Sequence, residues 1–244
     1  MKTVILISAN AEWRVVKELY PNLEIQNSPY GEFADLTFDP STRFASGQSP
    51  RPVTLFHGGW GKISAAATAQ YVVDHFQPEL IVNLGTCGGF EGCIERGTII
   101  LAEKTIVYDI IEQMSDSDEA IEYYSTKLDL SFLPRILPSP VLRGLLVSAD
   151  RDIISGDIPD LIEKYNAVAA DWESGAIAWV AQKNGIKCLI LRGVTDLVST
   201  EAGEAYGDYD LFSQRTREVM RDLFEQFPKW QDAIEQVVQG YRGY

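Results

Sequence analysis

The sequence predicts an α/β fold, a mainly parallel sheet covered by helices on both faces. Short runs rich in β-branched residues alternate with longer segments that carry apolar residues at helical spacing. Within the short runs the apolar residues follow one another, as strands buried on both faces require. The chain has 244 residues, 45% of them apolar, enough for a sizeable core. No Pro/Gly/Ser-rich run, charge block or repeat divides it, so one domain, 1–244, is expected.

Residues 3–8 read as the first buried strand. Their apolar run ends before Asn10, Glu12 and Arg14, too short for a signal-peptide core or a membrane span. A helix is expected to follow from near Trp13. Residues 53–56, 80–84, 98–107, 167–170 and 187–192 read as further central strands. Between them, 63–76 and 174–183 are Ala-rich and helix-favouring. Toward the end, 209–227 and 230–239 read as two amphipathic helices, the second a lid or packing element. The mixed stretch 115–140 reads as an irregular insertion.

Charge and composition exclude several functions. There are 35 acidic against 21 basic residues, a formal charge of −14. Such a field repels phosphate backbones and anionic lipid, so neither nucleic acid nor membrane is an expected partner. Cys87, Cys93 and Cys188 are odd in number and sparse, which suits a reducing, cytoplasmic setting. Only two histidines exist, His57 and His75. His75 precedes Pro78 near a helix end, where a capping role suffices, whereas His57 ends a strand and is open to either a structural or a pocket role. No HExxH, paired CxxC, G-x-S-x-G, P-loop or complete G-x-G-x-x-G pattern occurs. Acid–base chemistry therefore falls on carboxylates.

Ligands of open α/β sheets bind beyond the carboxyl ends of the strands. Three carboxylates are expected there: Glu12 after the first strand, Glu173 before the helix at Ser174, and Asp196 after 187–192. Each also has a structural reading. Glu12 and Glu173 suit helix N-termini, with Asp171 sharing the capping, and Asp196 needs only hydrogen-bond partners. Arg192 is either an ion-pair partner or the holder of a catalytic carboxylate. Gly85-Thr86-Cys87-Gly88-Gly89 reads as a loop after a strand, either cradling ligand oxygens with its N–H groups or making a tight turn at positive φ.

Several stretches together resemble the nucleoside phosphorylase/nucleosidase superfamily, and within it the 5′-methylthioadenosine/S-adenosylhomocysteine nucleosidases. They are Ile7-Ser8-Ala9-Asn10-Ala11-Glu12, Gly59-Trp60-Gly61-Lys62-Ile63-Ser64, Asn83-Leu84-Gly85-Thr86-Cys87-Gly88-Gly89, Val107-Tyr108-Asp109, Ala170-Asp171-Trp172-Glu173-Ser174-Gly175-Ala176 and Leu191-Arg192-Gly193-Val194-Thr195-Asp196. The resemblance implies a three-layer αβα domain around a mixed, partly barrel-like sheet, assembled as a homodimer or hexamer, with no metal and no organic cofactor. It implies cleavage of a purine nucleoside. Asp196 would be the acid to the base, Glu12 would activate water, and Glu173 would hold the ribose hydroxyls beside Trp172. Thr86 and the adjoining Gly88 would contact the ribose or the nucleophile, Arg192 would position Glu12, and the backbone at Ile153 would read the base edge.

Asn83 stands where the hexameric phosphorylases of the superfamily commonly place a phosphate-gripping arginine, which favours water over phosphate. Arg14, Arg43 and Lys62 keep a phosphate-dependent phosphorylase open as the alternative. A non-catalytic nucleoside-binding protein is a further one, opposed by the complete carboxylate set. Two positions depart from the nucleosidase pattern. Trp172 replaces a frequent methionine, and Asp152 stands where an aromatic would stack on adenine.

Overall fold

The computed structural model describes residues 1–38 and 52–242. Arg43 lies outside them. A single hydrogen-bonded sheet runs through the described residues, and it is mixed rather than mainly parallel. Its centre is β1 (Thr3–Ile7), parallel to both β4 (Pro52–His57) and β5 (Leu80–Phe90). Beyond β4 lie β3 (Gly31–Thr37) and β2 (Gln26–Ser28), both paired antiparallel and neither evident from the sequence pattern. Their faces are mostly half-exposed, so they lack the continuous apolar run that marks a central strand.

On the other side of β5 the sheet closes on itself. In order come β9 (Ala167–Asp171), β8 (Leu142–Ser148), β6 (Ile99–Val107) and β10 (Lys187–Val198), and β10 pairs back onto β5. This ring of five strands is the barrel-like part. The antiparallel pairings β5–β9 and β10–β6 make the sheet mixed. A two-residue strand β7 (Thr126–Lys127) adds to β6, and α3 (Ser117–Tyr123) precedes it, so 115–140 is not wholly irregular. Leu128, Phe132 and Leu133 bury that segment in the core.

Helices form the outer layers. α1 (Asn10–Leu19) packs with α6 (Tyr209–Arg242) on one face, and α2 (Lys62–Phe76) packs with α5 (Ser174–Lys183) on the other. The remaining helix, α4 (Ile158–Tyr165), leads into β9. Ile5, Ile7, Leu84, Leu191, Phe224, Phe227 and Trp230 belong to the first core layer; Val4, Phe56, Ala69, Ile81, Ile177 and Ile190 belong to the second. Alternate residues of β1 thus feed opposite layers, as period-two geometry requires.

Three expected boundaries move. α1 begins at Asn10, not near Trp13, which places Glu12 inside its first turn. The two expected C-terminal helices are one, with Pro228 inside it; neighbouring Phe227 and Trp230 are both 1% exposed, so the segment packs rather than acting as a lid. Tertiary burial outweighs the local helix-breaking tendency of proline. Finally, β5 and β10 run on through 85–90 and 193–198, residues expected to be loop.

Candidate active site

That extension decides the geometry of the site. Gly85, Gly88 and Gly89 are extended, not at positive φ, and the turn reading is wrong. These glycines serve close approach instead. A Cβ on Gly85 would stand 2.2 Å from Arg192 Nη1 and 2.7 Å from Glu12 Oε1, and one on Gly88 would stand 2.8 Å from Ile153 Cδ1. Nor does the loop cradle a ligand with all its donors: Thr86 N–H and Oγ1 both donate to Glu12 Oε1, at 2.6 and 2.9 Å.

Glu12 is 1% exposed and reaches this position from the first turn of α1. Its second oxygen accepts the Ala9 N–H at 3.0 Å. Arg192 projects from β10, also 1% exposed, among three carboxylates: Glu12 at 3.5 Å, Asp171 at 3.0 Å and Glu173 at 3.2 Å. Burial opposes its charge, but those three acids outweigh it and raise its pKa. Three carboxylates against one guanidinium leave two negative charges in excess when all are ionised. Burial pushes Glu173 up to about 7, with Asp171 and Glu12 adding to the shift and Arg192 opposing it.

Capping does not account for Glu173. At the start of α5 its carboxylate makes no capping bond; it accepts the Gly61 N–H at 3.1 Å and binds Arg192. Asp171 takes the capping role, accepting the Ser174 N–H at 3.2 Å and the Ser148 hydroxyl at 2.6 Å while holding Arg192. Its link to Arg192 was not foreseen, because the two residues lie on β9 and β10, which meet only through their shared pairing with β5.

Asp196 lies in β10 just past a bulge, where the register against β5 shifts between Val194 and Asp196. Bulges re-aim side chains in this way. Thr195, the extra residue, donates its hydroxyl proton to Asp196 Oδ1 at 2.7 Å, with Cys87 O at 3.3 Å the alternative acceptor. Burial raises the Asp196 pKa, helped by Glu204 and Asp152 and opposed by Thr195 and Arg215. Cys87, beside it, is buried, and burial drives its thiol pKa well above the ordinary value, which removes a thiolate at neutral pH.

One cavity of about 850 Å³ gathers these residues. Glu12, Thr86, Gly88, Ile153, Trp172, Glu173 and Asp196 all line it, and Arg192 sits behind its wall. Trp60 stacks edge-on against Trp172 at 5.3 Å. Tyr206, Tyr209 and Phe212 also line the cavity. They come from the β10–α6 connection and the start of α6, where the aromatic spacing Tyr206-Gly207-Asp208-Tyr209 was the only signal. His57 is elsewhere, stacked on Trp13 at 5.5 Å, and His75 lies on Tyr71 with Nδ1 3.0 Å from the Tyr71 carbonyl oxygen. Lys62 is engaged by Asp109 and Asp150, and Arg14 is exposed and does not line the cavity. Among the described residues no acid, histidine and cysteine cluster could hold a metal ion.

The fold and sequence have known counterparts. A 5′-methylthioadenosine/S-adenosylhomocysteine nucleosidase of Buchnera aphidicola is 29% identical over 213 residues, covering 83% of this chain and 86% of the relative. The crystal structure of the Streptococcus pneumoniae MTA/SAH nucleosidase in complex with 8-aminoadenine superposes with a TM-score of 0.73 at 19% identity, over 96% of this chain and 100% of that one. Futalosine hydrolase of Helicobacter pylori gives a TM-score of 0.73 at 17% identity, over 97% of each chain. The sequence pattern of the phosphorylase superfamily matches residues 5–228, from β1 to the middle of α6, and so spans every strand that builds the cavity. This chain belongs to the phosphorylase superfamily.

Proposed function

We propose that the protein hydrolyses the N-glycosidic bond of a purine nucleoside, with Glu12 activating water and Asp196 protonating the departing base. One observation carries the reading: a buried cluster with excess negative charge and a carboxylate of raised pKa share one cavity. Glycosidic cleavage builds positive charge on the sugar, which the Glu12–Glu173 end stabilises electrostatically. The leaving purine needs a proton, and an acid whose pKa is raised toward the working pH delivers it best. Arg192 fixes Glu12 and Glu173 without entering the cavity. Glu173 is placed to hold ribose hydroxyls beside Trp172.

Water is the better nucleophile here than phosphate. Asn83 donates to the Leu6 carbonyl oxygen at 3.1 Å and offers no guanidinium, and Lys62 is tied up by two aspartates. The names of the nucleosidase relatives agree. A panel of purine nucleosides, assayed with and without phosphate, should release free base and free sugar in both buffers. Strict phosphate dependence with ribose 1-phosphate as product would make the protein a phosphorylase; binding without turnover would make it a sensor. Of the substituents at C5′, the methylthio and homocysteinyl groups of the nucleosidase relatives and futalosine belong in the same panel.

We also infer a single domain over 1–244, working in the cytoplasm as a homo-oligomer. The continuous sheet, the free cysteines and the exposed Ile63, Ile111 and Met114 support these readings. Among the described residues no helix is long and apolar enough to cross a membrane.

A further inference from the structure

Two strand ends come together at the start of α2. In the parallel pair β6–β8, Val107 stands opposite Ser148. Asp109 and Asp150, each just past its strand, therefore lie side by side, and the Asp150 N–H donates to Asp109 Oδ2 at 3.0 Å. Lys62, the first residue of α2, is fixed by both. Its backbone N–H donates to Asp150 Oδ1 at 2.6 Å. Its ammonium pairs with Asp109 and, at 3.8 Å, with Asp150 Oδ2. Lys62, Asp109 and Asp150 stand outside the lining of the cavity.

Their neighbour Gly61 reaches the site. It donates its N–H to Glu173 Oε1 at 3.1 Å, from a backbone φ of +87° that glycine adopts without strain. Glu173 Oε2 meets Arg192 Nη2 at 3.2 Å. The carboxylate is thus gripped from two directions, by the sheet and by the start of α2. Trp60 and Trp172, each one residue before a member of the Gly61–Glu173 bond, meet edge-on at 5.3 Å. Arg192 is shared with Glu12 and Asp171, so its charge alone does not single out one orientation of Glu173. A single backbone donor does, because a hydrogen bond is directional.

We propose that Lys62, Asp109 and Asp150 are positioning residues for Glu173: by anchoring the first residue of α2, they aim the Gly61 N–H at the carboxylate in the cavity. The task of holding ribose hydroxyls rests on the hydrolase reading above; the aiming of the carboxylate does not. Glu173 is faced by Arg192 from β10, Asp171 from β9, Glu12 from α1 and the Gly61 N–H. The two acids push its pKa up, and Arg192 and the Gly61 N–H hold it down. Freeing Gly61 should therefore carry it above about 7.

The test follows melting temperature against pH in two pairs, wild type with Glu173→Gln, and Lys62→Met with Lys62→Met/Glu173→Gln. The pH at which a pair stops diverging marks the native pKa of Glu173. For the first pair this endpoint should lie at about 7, and for the second it should lie higher. General weakening by the Lys62 substitution cancels within its pair. Asp150→Ala, at an exposed position, serves the same comparison if Lys62→Met does not fold. Lys62→Arg, which keeps the cation, should return the endpoint toward that of the wild type. An unmoved endpoint overturns the proposal and leaves Lys62 in a structural ion pair. In the nucleoside panel, Lys62→Met should lower kcat/KM at least about tenfold, the scale of one hydrogen bond to a charged group. It should have little further effect in the Glu173→Gln background. Equal losses in both backgrounds overturn the proposal and leave the hydrolase reading intact. If no nucleoside is cleaved, the hydrolase reading fails, while a raised endpoint still upholds the positioning of Glu173.

Discussion

Two acids of raised pKa line this cavity. Asp196 gains its shift from burial at the bulge in β10 and keeps it despite Thr195 and Arg215. In the proposed role of acid to the base it must be protonated, so kcat/KM is expected to fall as pH rises through its raised pKa. Asp196→Asn removes the proton donor without changing shape. Turnover should drop at least about 10²-fold, the lower range for a positioned acid, with an unaltered circular dichroism spectrum; near-normal turnover would remove Asp196 from the mechanism. Glu173 makes a prediction about stability instead. Its pKa rises from 4.5 to about 7 on folding, so the native state binds a proton that the unfolded chain releases. That contribution is fully present below pH 4.5 and is lost as pH rises through about 7. Melting temperatures of wild type and Glu173→Gln, followed across this window, should diverge in favour of the variant as pH increases. Parallel curves would show that the carboxyl is not held protonated.

At the scale of elements, the site depends on two strands that do not stop where they were expected to. β5 and β10 lie side by side from Leu80 and Lys187 to Phe90 and Val198. Their extensions bring Thr86 against Glu12, and Asp196 to the cavity. Gly85 is the close approach at the site, with Arg192 and Glu12 both inside the space a methyl would take. Gly85→Ala should therefore displace the pair rather than merely crowd it. A misplacement near 1 Å at a reacting group is worth about 10²-fold in rate, so kcat should fall on that order while KM changes less. A kcat near that of the wild type would show that the pair tolerates movement.

For the whole molecule, closure of five strands into a ring places the strand ends around one cavity and leaves α1 with α6 and α2 with α5 as outer layers. The surface then shows Ile63 at 83%, Ile111 at 81% and Met114 at 95% exposure. The proposed homo-oligomer would cover side chains of this kind. Sedimentation should give a multiple of the 27.2 kDa protomer, a dimer or a hexamer, and a monomer at assay concentration would sink that expectation.

Local pattern was enough for the elements with strong periodicity and for pointing to three carboxylates at strand ends, which the structure gathers into one cavity. The buried runs at β1, β5, β6 and β10 and the Ala-rich helices α2 and α5 were legible because their burial is written in neighbouring residues. The edge strands β2 and β3 were not, since half-exposed strands carry no such run. Restricting acid–base work to carboxylates, and naming Glu12, Glu173 and Asp196, also followed from the sequence. What Gly85 and Gly88 are for, why Asp171 caps while Glu173 binds Arg192, and where Tyr206 points required the tertiary structure. Each of these depends on atoms that meet across strand register, tens of residues apart along the chain, and a hydrogen bond or a steric limit exists only once the register has been set.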